Sequence, residues 1–417
     1  MMVWTTVFLL ALFLVTAMEV YLSFRQSHYV QQHRTAVPPR FASVITLDAH
    51  QKAADYTLAK HQHGLWAQAF SVILLLAWTL GGGLNAWDQA VSTLAWSPLW
   101  IGVAVMLGFF VIGSLLEIPL AAWQTFGLET RFGFNSSTWQ LYVVDHLKQL
   151  LLMLLIGGPL IALLLWLMQE AGEWWWWYAW LVWTAFSLLM MWAFPTLIAP
   201  LFNRFEPLED GEARTRIEAL LQRCGFACNG LFVMDGSRRS SHGNAYFTGM
   251  GRSKRIVFFD TLLKNLTIDE AEAVLAHELG HFHHGHVKQR IISMTLFSLV
   301  GFALLGWIAE QPWFYHGLGI SHASNYMALL LFMLVLPLFS SWLSPLMNAF
   351  SRKHEFQADA YAVAHSSGEA LVEALTKLYR DNAATLTTDP WYSAWHDSHP
   401  PASVRIAQID RHKHHDS

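Results

Sequence analysis

The chain has 417 residues, of which 54% are hydrophobic and only 13% charged, with a formal net charge of −4. Soluble proteins average roughly 25% charged residues, so an ordinary soluble fold is excluded, and the balance of charge offers nothing to attract a nucleic acid. The missing charge is explained by seven apolar stretches, 3–24, 66–84, 99–119, 150–168, 174–197, 291–309 and 326–343. Each is near the roughly 20 residues that cross a bilayer as a helix.

The first stretch has no basic residue before it and no small-residue cleavage site, so it reads as an anchor rather than a removed signal. The basic residues then order the topology. Five fall between the first two stretches (Arg25, Arg34, Arg40, Lys52, Lys60) and two between the third and fourth (Arg131, Lys148). Twelve lie between the fifth and sixth, from Arg204 to Arg290, and seven follow the last, from Arg352 to Lys413. Together they are the chain's entire 26 Lys and Arg. All positive charge is thus in alternate loops, as the positive-inside rule requires. The N-terminus is expected outside, and the large loop and the C-terminus inside. The run from Trp174 to Tyr178 falls at the outer end of the fifth stretch, where aromatic belts sit.

The loop 25–64 is polar and rich in His, with a turn at Pro38-Pro39 and a short amphipathic helix expected around 47–61. Loop 121–146 is expected to end in an interfacial segment. The inside segment 200–290 is long enough to be part of a domain. Residues 210–224 read as an amphipathic helix with Ile217, Leu220 and Leu221 on one face. Residues 230–234, 244–248 and 255–260 read as strands, the last two forming a hairpin through the turn at 249–253. Cys224 and Cys228, on the reducing side, are expected to pack rather than pair.

Next comes His277-Glu278-Leu279-Gly280-His281, behind an apolar helix-forming run. Thr267-x-x-Glu270 is a capping box that starts this helix, and Asp269, Glu270 and Glu272 put negative charge in its first turn. Positions four apart share a face, so His277 and His281 can reach one metal ion, with Glu278 beside them as general base. Two histidines on one face also occur without a metal, so a third ligand is needed. The sixth and seventh stretches form a hairpin that brings the chain back to the inside. Glu355 and Asp359, again four apart, are thereby returned beside the motif helix. A carboxylate from a second helix completes a His₂Glu zinc site, and Asp359 can hydrogen-bond a ligand imidazole. His283 and His284 read as surface residues, with one extra imidazole near the metal as the alternative. In His399-Pro400-Pro401, with Arg405 following, a protonatable group and a fixed cation open a helix; the pair suits an oxyanion, but the residues by themselves read no further than a helix-start turn.

These stretches resemble the type I CAAX prenyl proteases, integral-membrane zinc metallopeptidases. The resemblance is carried by Ser240-Ser-His-Gly-Asn-Ala-Tyr-Phe247, Arg255-Ile-Val-Phe-Phe-Asp-Thr-Leu-Leu263, the His277–His281 motif with Gly285-His286, Glu355-Phe-Gln-Ala-Asp-Ala360, and Ser398-His-Pro-Pro401 with Arg405. It implies one Zn²⁺ per chain on His277, His281 and Glu355, with Glu278 as base and Asp359 and His286 behind the ligands. It further implies His399 and Arg405 beside the scissile carbonyl, and Asn244 and Ala245 on an edge strand that takes the substrate as an added strand.

The expected fold is mainly α and integral to the membrane. Seven transmembrane helices ring an internal chamber and carry an inner-side α+β zincin-like catalytic domain. The chain divides into helices one to five (1–199), a first catalytic part (200–290), helices six and seven (291–345) and a second catalytic part (346–417). The expected activity is zinc-dependent endoproteolysis, in the family the removal of a C-terminal tripeptide from prenylated chains. Expected partners are a peptide or protein, lipidated or not, and the lipid bilayer, with no nucleic acid. Long insertions and retrieval signals of eukaryotic members are missing, which points to a bacterial inner membrane. The alternatives are a quality-control protease with no prenyl requirement and, in another class, a non-catalytic scaffold or transporter.

Overall fold

The apolar stretches form helices that run well beyond what a bilayer needs. The structure, a computed structural model, describes residues 2–248 and 255–413. Six helices are long and apolar enough to cross a membrane: Met2–His33, Pro98–Phe132, Trp139–Glu170, Gly172–Phe202, His286–Ile308 and Asn325–His365. A bent pair, Leu47–Trp78 and Gly83–Ser92, makes a seventh span with a 55° turn. The bend falls at Gly81-Gly82-Gly83, where Gly82 has a φ of 78°, a conformation that glycine adopts without strain.

This length corrects two expectations. Residues 47–61 are not a separate amphipathic helix but the first half of the bent span. Region 121–146 is not a loop with an interfacial segment: the third span stays helical to Phe132 and the fourth begins at Trp139. Hydropathy registers only the charge-free part of a helix, whereas backbone hydrogen bonding continues through half-buried residues. At 1.5 Å per residue, the 32 residues of Met2–His33 span about 48 Å, against a hydrocarbon core of about 30 Å. The surplus of the first four spans lies on the side that bears the basic residues.

Each span packs against the next and the seventh returns to the first, which closes a ring. The seventh also touches the third and fourth. There the Tyr326 ring fills the notch at Gly102, and its hydroxyl donates to Asp88 at 2.8 Å. On the basic side the ring holds a cavity of about 790 Å³, bounded by the first span, the second span and the segment after Tyr379.

The soluble part is built on a four-stranded sheet of β1 (Phe205–Pro207), β2 (Leu231–Met234), β3 (Ala245–Thr248) and β4 (Arg255–Phe259), in the order β1-β2-β4-β3. β2 runs parallel to β4, and β3 pairs antiparallel with β4, Ala245 opposite Phe258. The expected pairing of the last two strands is present; the turn at 249–253 lies outside the described residues. Helix Glu212–Arg223 lays Ile217, Leu220 and Leu221 against Ile256, Phe258 and Leu275, with Cys224 and Cys228 at the edge of this cluster.

Helix Ile268–His283 carries the His-Glu motif and lies on the C-terminal extension of the seventh span. The contact is made by Gly280. A Cβ added there would stand 2.8 Å from Ala358 Cα and 3.1 Å from Ala358 O, too close for any real side chain. Gly280→Ala should gain up to about 1 kcal/mol of helix propensity but lose about 1–3 kcal/mol to overpacking against backbone that cannot swing aside. The net expectation is a lower melting temperature and a lower metal content in the purified protein. A variant at least as stable and as metal-rich as wild type would show that the contact is loose.

Candidate active site

The motif helix starts as its sequence dictates. Thr267 Oγ1 accepts from Glu270 N at 3.3 Å, and Glu270 Oε2 accepts from Thr267 N at 2.7 Å, closing the capping box. Glu270 is buried and also takes an ion pair from Lys377 at 2.8 Å. The helix ends at Gly285, whose φ of 68° turns the chain directly into the sixth span at His286. Both helices that carry the candidate ligands are therefore anchored to membrane spans.

Their facing sides bring the expected residues together. Glu355 Oε2 lies 3.5 Å from His277 Nε2, and Glu355 Oε1 lies 3.3 Å from His281 Nε2. One ligand atom from each of the three falls within 4.8 Å of the others. Glu355 is only 4% exposed, and its Oε2 is buried with no hydrogen-bond partner. The nearest cationic neighbours of this oxygen, Arg405 Nη1 and His277 Nε2, both stand 3.5 Å away, too far for a close hydrogen bond. A buried carboxylate oxygen held this loosely is costly and would be relieved by a metal ion at this point. Two imidazoles and one carboxylate are also the donor set of catalytic zinc. Donor identity, convergence and the loosely held oxygen all fit the metal.

Behind the cluster, Asp359 is fully buried. It stands 2.9 Å from His277 Nδ1 and takes two parallel bonds from Arg405, Nε to Oδ2 at 2.9 Å and Nη2 to Oδ1 at 2.5 Å. This fork fixes the carboxylate, and the carboxylate fixes the imidazole with Nε2 toward Glu355. Burial opposes a charge on His277, but Asp359 and Glu355 outweigh it and push the imidazole up to about 9. The pocket favours positive charge where the metal would sit. On the other ligand, His281 Nδ1 meets His286 Nδ1 at 3.0 Å, and His286 is buried.

In front of the cluster, half-buried Glu278 lines a cavity of about 190 Å³ together with Asn244, Ala245, His399 and Arg405. The His399 side chain is 64% exposed, with Nε2 3.4 Å from Glu355 Oε1. Ser398 Oγ lies 3.0 Å from its Nδ1. Arg405 lines the same cavity, yet two of its donors are committed to Asp359. Its backbone N–H bonds Pro401 O at 3.0 Å, so the turn after His399 sets its position. Asn244 precedes β3, and its carbonyl accepts from Phe259 N at 2.9 Å. Among the described residues β3 pairs only with β4, which leaves an open strand edge beside Glu278.

Two residues at this site escape a reading of the sequence. Asn382 brackets Gly243, accepting from its N–H at 3.0 Å and donating to its carbonyl at 3.3 Å. It occupies the strand edge just before Asn244. Gln357 accepts through Oε1 from His286 Nε2 at 2.9 Å. Asn382 belongs to no motif. Gln357 sits inside Glu355-Phe-Gln-Ala-Asp359, where only the carboxylates announce themselves by their spacing.

Comparison with known proteins agrees with this picture. Residues 26–204 match a family described as CAAX prenyl protease N-terminal, five membrane helices, and residues 207–413 match peptidase family M48. The chain is 34% identical to CAAX prenyl protease 1 of Saccharomyces cerevisiae, over 94% of this chain and 92% of the relative. It is 28% identical to the Homo sapiens CAAX prenyl protease 1 homolog, over 95% and 93%. The crystal structure of S. mikatae Ste24p superposes with a TM-score of 0.91 at 32% identity, covering 98% of this chain and 99% of that one.

The buried Asp359–Arg405 fork yields a test. Asp359→Asn keeps the shape but takes from a buried guanidinium its closest anion, leaving only the Glu355 carboxylate 3.5 Å away, at a cost of about 3 kcal/mol. We expect a clearly lower melting temperature and a metal affinity about 10–100-fold weaker, measured by competition with a chromogenic chelator. Wild-type values of both would mean that the fork supports neither fold nor metal.

Proposed function

The chain belongs to peptidase family M48 and is a multi-pass membrane metallopeptidase; from that premise we propose that it hydrolyses peptide bonds with one zinc ion per chain, held by His277, His281 and Glu355. The observation that carries this reading is the buried Glu355 carboxylate set between two imidazoles, Oε2 facing His277 and Oε1 facing His281, with one donor atom from each of the three residues within 4.8 Å of the others. Bound zinc supplies Lewis-acid polarisation of the scissile carbonyl and lowers the pKa of water to about 7.

The chain's own residues do the rest. Glu278 takes the proton of the attacking water and later delivers it to the leaving amine. Ser398 hydroxyl donates to His399 Nδ1, which leaves the exposed Nε2–H free to donate to the carbonyl oxygen as negative charge develops. Arg405 adds positive potential beside the same oxygen from its seat on Asp359. Asn244 and Ala245 receive the substrate as an added strand on the open edge of β3. His286 holds His281 in place. The catalytic unit is split in the sequence, 200–290 and 346–417, and is joined by the hairpin of spans six and seven (291–345), while 1–199 supplies five spans of the ring.

We read the substrate as a prenylated C-terminal peptide, in keeping with relatives that carry the name CAAX prenyl protease. The 790 Å³ cavity that adjoins His399 has room for it. We read the site and the C-terminus as cytoplasmic and the N-terminus as outside, because every basic residue falls between alternate apolar stretches, and the membrane as a bacterial inner membrane, in keeping with a chain that lacks long insertions.

Two outcomes test this. Glu278→Gln should retain zinc and lose about 10²–10⁴-fold in turnover; near-wild-type turnover by the metal-loaded variant would remove Glu278 from its role. A farnesylated CAAX peptide should be cleaved well ahead of its unmodified counterpart, with release of a tripeptide seen by mass spectrometry. Equal cleavage of both would support a quality-control protease instead.

A further inference from the structure

The two imidazoles of the cluster are backed in different ways. His277 leans on an anion, Asp359, itself clamped by Arg405. His281 leans on a neutral chain of two side chains, His286 and then Gln357. We propose that Gln357 is a positioning residue that sets the tautomer of His281, acting through His286. The proposal rests on the zinc reading above.

The argument follows the protons. His281 turns Nε2 toward Glu355 at 3.3 Å, so the lone pair offered to a metal is on Nε2 and the proton is on Nδ1. That N–H faces Nδ1 of His286 at 3.0 Å, and a hydrogen bond forms only if His286 Nδ1 bears a lone pair. The proton of His286 is then on Nε2. His286 is 6% exposed, so this N–H needs a protein acceptor, and the Gln357 carbonyl oxygen stands 2.9 Å away. The His354 ring, stacked on His286 at 4.0 Å and 12°, holds the plane of the relay.

Reversing one end reverses everything. With its NH₂ group toward His286, Gln357 would demand a lone pair on His286 Nε2. The His286 proton would move to Nδ1 and donate to His281 Nδ1, and the His281 proton would move to Nε2, where it would block ligation. The carboxamide therefore reports its orientation to the metal ligand two side chains away. A neutral acceptor also has a consequence that a carboxylate would not. Glu at 357 would keep the acceptor but add a second anion near Glu355, which strengthens metal binding and weakens the electrophile.

The test uses the full chain in detergent, with zinc affinity measured against a chromogenic chelator and unfolding of the metal-free protein as a control. Wild type should bind one zinc per chain; if it binds none, the metal reading itself fails. With that in hand, Gln357→Leu should weaken zinc binding about 10–100-fold and lower the metal-free melting temperature modestly, because it leaves the buried His286 Nε2–H without an acceptor, whereas Gln357→Glu, which keeps an acceptor, should leave that temperature near wild type. Gln357→Glu should bind zinc at least as tightly as wild type while its kcat falls. Adding Gln357→Leu to His286→Ala should cost nothing beyond His286→Ala alone, because the relay is already cut. Wild-type affinity in Gln357→Leu, or additive losses in the double variant, would overturn the relay. So would loss of zinc by Gln357→Glu, which is also the deciding comparison if Gln357→Leu does not fold.

Discussion

Two helices meet at Gly280 and Ala358 with backbone almost touching backbone, and the site depends on that approach. It places Glu355 between His277 and His281 and buries Asp359 completely behind them. A carboxylate taken this far from water is tolerated only when its oxygens are satisfied. Asp359 is satisfied by His277 and by both donors of the Arg405 fork. Glu355 retains one oxygen with no hydrogen bond, its two cationic neighbours 3.5 Å away, and that loose fit leaves room for a metal ion.

Both helices are extensions of membrane spans, and this gives the contact its rigidity. The motif helix passes through Gly285 into the sixth span, while the Glu355 helix is the continuous C-terminal end of the 41-residue seventh. Loops carry the groups that line the cavity in front of the cluster: His399 before Pro400-Pro401 and Asn244 at the mouth of an edge strand. The candidate ligands are held by long elements, and the candidate substrate-facing groups by short ones.

Wherever the chemistry repeats every four residues on one helix, it was legible beforehand. His277 and His281, and Glu355 and Asp359, are of this kind; the capping box of Thr267 and Glu270 was legible from its own spacing of three. So was the helix Glu212–Arg223, whose apolar face packs where its pattern points. The extent of the spans was not, because apolarity ends where the bilayer ends but helical hydrogen bonding does not. Asn382 and Gln357 were also invisible. Their partners are 139 and 71 residues away, and a carboxamide carries no periodic signal.

The sequence by itself determined the membrane class, the apolar spans with all 26 basic residues between alternate ones, and the helices that bear the candidate ligands. These follow from local composition and from helical repeat, which need no knowledge of the fold. Only the tertiary structure decided that the ring closes, that Arg405 is spent on Asp359, and that His281 is backed by a neutral relay rather than an anion. Those are matters of which side chain faces which across a buried space, and burial is set by packing between segments that the chain order keeps far apart.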